Sequence, residues 1–324
     1  MPERERVGRM KELLTAFKGG DRRALSRLLT MVANRSEGIN ELLDELFPLS
    51  GEAWRIGVTG PPGAGKSTLV NQLVGLYRKN DLPTGVVAFD PTSPFTGGAL
   101  LGDRVRMEMI SQDPGVFIRS LATRGHLGGL AMGVDESCDL MDAFGKQRIL
   151  IETVGVGQSE LEVVDSADTT IVVLVPQSGD AIQAMKAGLM EIADIFVLNK
   201  CDREDADRAY QELVSILSLK ESQEEWRPKV VRTIAEKGGG VEELLETIDS
   251  HHQYLEATGT LEQRRSKRYS AKIRHLVEAE LHEKLWRAER KSQSGKGFEG
   301  GQSPYGLAKR LIEDFYKEIR DEES

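Results

Sequence analysis

Gly60-Pro61-Pro62-Gly63-Ala64-Gly65-Lys66-Ser67 stands between an apolar run, Ile56-Gly57-Val58, and a stretch with helical character, Thr68-Leu69-Val70-Asn71-Gln72-Leu73-Val74. The order is strand, glycine-rich loop, helix, with G-x-x-x-x-G-K-S at the junction. Such a loop wraps with its N–H groups turned inward, and the helix N-terminus adds its positive dipole end, so phosphate oxygens are the natural occupant. In that arrangement Gly60 to Thr68 surround the phosphates. Lys66 reaches the β- and γ-phosphates, and the Ser67 hydroxyl faces Mg²⁺. A plain glycine-rich turn would not need the lysine, the serine and both flanking elements together.

Outward from the loop, the chain from Trp54 to about Ala257 alternates strand and helix. Strands are predicted at Arg55–Val58, Gly85–Phe89, Val116–Ser120, Arg148–Ile151, Thr170–Val175, Asp194–Leu198 and Lys229–Thr233. Most are short, continuous runs rich in Val and Ile, as expected of strands covered on both faces, and helical stretches long enough for crossovers separate most of them. The fold class is therefore α/β, a mainly parallel, doubly wound sheet with the phosphate loop after its first strand.

Residues 1–50 read as an N-terminal helical extension. Val7, Met10, Leu13, Leu14 and Phe17 recur at helical spacing, Gly19-Gly20 ends that helix, Asp21 caps the next, and Pro48 stops a third from about Asn40 to Phe47. Residues 51–258 form the nucleotide-binding domain. Residues 259–324 form a helical arm: a long basic helix from Leu261 to about Ser292, a glycine-rich link, and a last helix begun by Ser303-Pro304. Tyr269, Ile273, Leu276, Val277, Leu281 and Leu285 make an apolar stripe on the long helix, which suggests self-association as a homodimer. Arg264, Arg265, Lys267, Arg268, Lys272 and Arg274 on it are expected to be a solvated face.

The 324-residue chain is 39% hydrophobic and 29% charged, with a formal charge of −9, which suits a soluble globular protein and speaks against a nucleic-acid partner. No apolar signal core or membrane span is apparent, so a cytoplasmic location is expected. Cys138 and Cys201 lie far apart and match no metal-ligand spacing. The five histidines form no convincing cluster, and His251-His252 reads as a surface pair at a helix end.

Asn199-Lys200-Cys201-Asp202 follows the apolar strand ending at Leu198. A carboxylate here can accept from guanine N1–H and the exocyclic amino group, an edge adenine does not offer. Thr233-Ile234-Ala235-Glu236 follows the last strand and places the Ala235 N–H where it can meet guanine O6. Three acids end strands or loops near the phosphates: Asp90, Asp103 and Glu152. With Ser67 they make an oxygen shell suited to Mg²⁺. Gly155 can bring its N–H to a γ-phosphate, sensing its departure. Val156 follows where fast small GTPases carry a water-positioning glutamine, so slow intrinsic hydrolysis, raised by a partner or by dimerisation, is expected. Pro62 occupies the flank where an external arginine would approach, which favours activation from within a dimer or by repositioned switches over a simple inserted finger.

Taken together, Gly60–Ser67, Asp90-Pro91-Thr92-Ser93, the run from Thr96 to Arg104, Arg124-Gly125-His126-Leu127-Gly128-Gly129, the run from Glu152 to Glu160 and Asn199–Asp202 resemble the MeaB/ArgK family of P-loop GTPases. The resemblance implies a homodimeric G-protein chaperone of adenosylcobalamin-dependent acyl-CoA mutases, typically methylmalonyl-CoA mutase. Such proteins gate cofactor loading and protect the mutase while hydrolysing GTP to GDP and phosphate. It also implies Lys66 on phosphate, with Glu152 and Gly155 beside the reacting group; Ser67, Asp90, Asp103 and Glu152 around Mg²⁺; and Asn199, Lys200 and Asp202 on guanine. Gln177 to Lys186 matches a family switch that senses nucleotide and meets the mutase. Thr92, Ala99 and Arg104-Val105 depart mildly from the family pattern, which bears on the partner more than on the nucleotide. Two other readings are a transport-coupled ATPase or protein kinase, which Asn199–Asp202 argues against, and a metallocentre-maturation GTPase, which would call for a His/Cys cluster.

Overall fold

A computed structural model of the chain describes residues 3–90, 112–122, 129–153, 165–176, 188–219, 226–286 and 303–322. It divides into two compact units, residues 1–266 and 267–324.

The first unit is built on a seven-stranded sheet: β1 (Trp54–Thr59), β2 (Thr84–Asp90), β3 (Val116–Ala122), β4 (Arg148–Glu152), β5 (Thr169–Leu174), β6 (Ile195–Asn199) and β7 (Lys229–Thr233). The order across the sheet is β3-β2-β4-β1-β5-β6-β7, and every pairing is parallel. All seven strands expected from sequence are present, with no end shifted by more than two residues. Asp194, expected to open the sixth strand, lies just before it, because its carboxylate accepts from Thr170 N–H at 2.8 Å and from Arg264 instead of facing outward along a ladder.

Side-chain alternation sorts the two faces of the sheet. Ile56, Val58, Leu150, Ile171, Val173, Ile195 and Val197 point to one face, where α4 (Lys66–Lys79) and α8 (Val241–Thr258) cover them. On the other face Val87, Phe89, Ile149 and Ile151 meet α5 (Gly129–Ala143) and the three N-terminal helices, α1 (Glu3–Lys18), α2 (Arg22–Ala33) and α3 (Ile39–Leu46). Val172, Leu174, Phe196 and Leu198 meet α6 (Leu189–Ile192) and α7 (Ala206–Leu219) there. The N-terminal helices are thus one wall of the main core. Leu25, Leu28 and Leu29 of α2 are fully buried, and Asp21 caps that helix, its carboxylate accepting from Arg23 N–H at 2.8 Å. A short 3₁₀ turn at Phe47–Leu49 holds Pro48 and ends α3.

Two expectations about the C-terminal part of this unit are overturned. His251 is not a surface residue: it lies within α8, fully buried, with Nδ1 2.9 Å from Thr169 Oγ1 and Nε2 3.4 Å from Asp194. Trp226 packs on its ring and donates Nε1–H to the Asp194 carbonyl at 3.0 Å. Nor are Arg264 and Arg265 a solvated face. They lie in the first turns of α9 (Thr260–Leu285) and reach the base of the sheet. Arg264 donates to both Asp194 carboxylate oxygens at 2.8 and 2.9 Å and to the Asp168 carbonyl at 2.8 Å. Arg265 donates to the Gly51 and Ala53 carbonyls. These contacts grip the N-terminal ends of β1, β5 and β6, a tertiary use that helical periodicity does not encode.

The second unit holds the rest of α9 and α10 (Pro304–Glu322). None of the 26 residues of α9 is buried, and its Tyr269, Ile273, Val277 and Leu281 are exposed. No helix among the described residues is long and apolar enough to cross a membrane.

Candidate nucleotide site

The loop at residues 60–65 leaves the carboxyl end of β1, the central strand, and feeds α4 at Lys66. Its backbone is shaped by close packing. Gly60 has φ +134°, and a Cβ there would lie 2.1 Å from the Val173 carbonyl oxygen of β5. Gly65 has φ +94°, and a Cβ there would lie 2.4 Å from Asn199 Nδ2. Both positions therefore exclude any side chain. Ala64 between them is fully buried, whereas Pro62 and Gly63 are exposed at the loop tip and Pro61 and Thr68 are half-buried.

Lys66 is buried and curls back over the loop, Nζ donating to the Gly60 and Pro61 carbonyls at 2.8 and 3.0 Å. Ser67 Oγ donates to Glu152 Oε1 at 2.5 Å. The structure thus brings the loop's hydroxyl and the acid at the end of β4 together, two hard oxygen donors of the kind Mg²⁺ takes. Asp90 ends β2, two strands from β1, and its side chain lies outside the described residues. Asp103, Gly155, Val156 and the segment from Gln177 to Lys186 also lie outside the described residues.

Asn199 and Lys200 end at the same loop. Asn199, buried at the end of β6, donates Nδ2–H to the Ala64 carbonyl at 2.8 Å. Its Oδ1 accepts from Thr233 Oγ1 and from Ala235 N–H, both at 3.0 Å. Lys200 adopts a left-handed conformation, φ +62°, and its Nζ donates to the Gly63 carbonyl at 2.8 Å. The Ala235 N–H, expected to face guanine O6, donates to Asn199 Oδ1; Ala235 is buried there, while Glu236 and Lys237 of the same turn are exposed. Asp202 remains half-exposed at the mouth, with Lys237 Nζ 3.6 Å from its carboxylate.

Sequence reasoning missed Lys237 and a buried hydroxyl pair, Thr59 and Thr153, which lies where β1 and β4 end. For Thr59 a signal existed: in β1, Arg55, Gly57 and Thr59 alternate with Ile56 and Val58, so that face of the strand was never purely apolar.

The profile described as "Methylmalonyl Co-A mutase-associated GTPase MeaB" matches residues 25–290. The chain belongs to this MeaB family. A Pyrococcus abyssi protein named as a GTPase is 52% identical over 269 residues, 82% of this chain and 83% of that one. The GTPase ArgK of Escherichia coli is 36% identical over 282 residues, 84% of this chain and 85% of that one. A solved structure described as "Crystal structure of LAO/AO transport system kinase" is 27% identical, with a TM-score of 0.71, and the match covers 98% of this chain and 99% of that one. As a MeaB-family P-loop GTPase, the chain binds guanine nucleotide and hydrolyses GTP. The MeaB match takes in most of α2, the whole sheet and α9, while α1 and α10 lie outside it.

Proposed function

We propose that this chain is a GTP-driven switch serving an adenosylcobalamin-dependent acyl-CoA mutase of the methylmalonyl-CoA mutase type, gating cofactor loading and protecting the mutase. The observation that carries the nucleotide half is the tie from Asn199 and Lys200 to the Ala64 and Gly63 carbonyls, which makes the base-reading motif and the phosphate loop one rigid constellation. The family's association with methylmalonyl-CoA mutase supports the partner half.

In this reading Gly60 to Thr68 wrap the phosphates, and Lys66 exchanges its two loop carbonyls for phosphate oxygens. Asp202 reads the guanine edge, with Asn199 and Lys200 bracing the loop behind it. Ser67 and Glu152, already in contact, hold Mg²⁺ together with Asp90 and Asp103; the metal would neutralise charge developing on the phosphates. Gly155 senses the γ-phosphate. Hydrolysis is slow alone, because Val156 cannot orient water, and a partner or dimerisation raises it. The exposed stripe Tyr269, Ile273, Val277 and Leu281, at four-residue spacing on α9, supports a homodimer arm. The protein works in the cytoplasm.

A transport-coupled kinase or ATPase, the class named for the similar solved structure, predicts adenine binding. A metallocentre-maturation role would call for a His/Cys cluster, and among the described residues no group of three or more His, Cys, Asp or Glu is placed to hold a metal ion. Calorimetric titration with GDP and ADP separates guanine from adenine; tight ADP binding would defeat the proposal. Adding purified adenosylcobalamin-dependent mutases and scoring GTPase stimulation tests the partner. No stimulation by any of them would leave only the GTPase.

A further inference from the structure

The last backbone pair between β1 and β4 is Val58 with Glu152. One residue later the two chains part, Thr59 into the phosphate loop and Thr153 toward the segment that carries Gly155. At this fork Thr153 N–H donates to the Val58 carbonyl at 3.1 Å, and Thr153 Oγ1 donates to Thr59 Oγ1, also at 3.1 Å. Both threonines are buried.

This bond closes a ring. From Thr59 the chain runs through the phosphate loop to Ser67, crosses to Glu152 through the 2.5 Å hydroxyl–carboxylate contact, passes to Thr153 and returns to Thr59. The two side-chain closures differ in how they respond to a cation. Were Ser67 and Glu152 to hold Mg²⁺, the hydrogen bond between them would be given up, whereas the threonine pair, buried where β1 and β4 end, would persist. The backbone bond to Val58 sets the height of Thr153 along the strand. The hydroxyl bond ties it to the residue from which the loop departs.

We propose that Thr153, through Thr59, is a positioning residue that keeps the Glu152 carboxylate over Ser67 when the metal is bound, and so couples Mg²⁺ to nucleotide retention. The inference rests on the metal reading of Ser67 and Glu152. It says nothing of base recognition, which lies at the ends of β6 and β7.

The test is the release of a fluorescent GDP from the full chain, measured with Mg²⁺ and with a chelator. Thr153→Val is expected to reduce the Mg²⁺-dependent slowing of release by about fivefold, the scale of one lost hydrogen bond. Release in chelator should stay within about twofold of the parent. Thr153→Ser, which keeps the hydroxyl, should restore the parent's Mg²⁺ dependence. A merely structural role would change both rates together and would overturn the proposal. So would an unaltered Mg²⁺ dependence in Thr153→Val, or a serine variant as weak as the valine one. If Thr153→Val does not fold, Thr59→Val removes the acceptor side of the same bond and carries the same expectations. A parent whose release ignores Mg²⁺ removes the metal reading and this inference with it; a parent that responds, beside a Thr153→Val variant that responds equally, defeats this inference alone.

Discussion

Asn199 Nδ2 donates to the Ala64 carbonyl at 2.8 Å and passes within the space a Cβ on Gly65 would fill. One side chain thereby spans from β6 to the phosphate loop and, through Oδ1, to Thr233 and Ala235. Asn199→Ala leaves three buried partners short of a bond, each at a cost of about 1–3 kcal/mol before relaxation. We expect a loss of about 3 kcal/mol in denaturant melts without nucleotide, together with weakened GDP binding. An unchanged melt would show that the bracket is not structural.

Asp202 offers a different test, because it sits half-exposed at the mouth and the fold does not lean on it. A carboxylate accepts twice, from N1–H and from the 2-amino group of guanine. Xanthine carries a carbonyl in place of that amino group, and an amide offers one acceptor and one donor in return. Asp202→Asn should therefore lose GDP affinity by about thirtyfold or more and gain affinity for xanthosine diphosphate, with its melting temperature unmoved. Equal loss for both nucleotides would place the base elsewhere.

At the opposite end of the sheet, Arg264 forks onto the Asp194 carboxylate at 2.8 and 2.9 Å. Burial pushes the Asp194 carboxyl up, but His251 and Arg264 outweigh it and hold the group below its ordinary value of 3.8. A depressed acid contributes stability that is complete above the ordinary value and is lost as pH falls through the lower folded-state value. Arg264→Ala should cost about 2 kcal/mol at neutral pH, less than for a fully buried pair because the arginine is 36% exposed. Its acid unfolding should also begin at higher pH, as followed by circular dichroism.

Lys146 gives a slope of the same sign in the alkaline range. It is buried, with Nζ donating to the Gly115 carbonyl at 2.8 Å. Burial first, and then Arg22 and Arg78, pull it down to about 8 from an ordinary 10.5. Between those values the unfolded chain binds one more proton than the folded one, so this group makes the protein more stable as pH rises through the window. Replacing it in Lys146→Met should remove that rise, leaving the variant closest in stability to the parent, or ahead of it, at pH 7. Urea melts at a series of pH values would show parallel curves for the two proteins if Lys146 titrated normally.

Several of these relationships were readable early because they depend on short chain segments. A glycine-rich loop between an apolar run and a helix needs no distant residue to be recognised. Val and Ile runs at crossover spacing dictate parallel strands, since each must be buried on both faces. The residues of Asn199–Asp202 were legible for the same reason, but not all that they do. Asn199 also holds the phosphate loop and the Ala235 N–H, contacts that the four-residue motif does not spell out.

What the sequence determined by itself was the α/β class, the seven strands, the phosphate loop and the guanine motif, all of them set by local pattern and alternation. Tertiary structure alone decided which distant polar groups meet. Nothing in a basic helical stretch reveals that Arg264 will find Asp194 across 70 residues of chain, or that His251 will be buried against it. The same holds for Thr59 and Thr153, separated by 94 residues and joined at one fork of the sheet. A buried polar group must be paired, but its partner is chosen by the order in which strands assemble, and local spacing carries no record of that order.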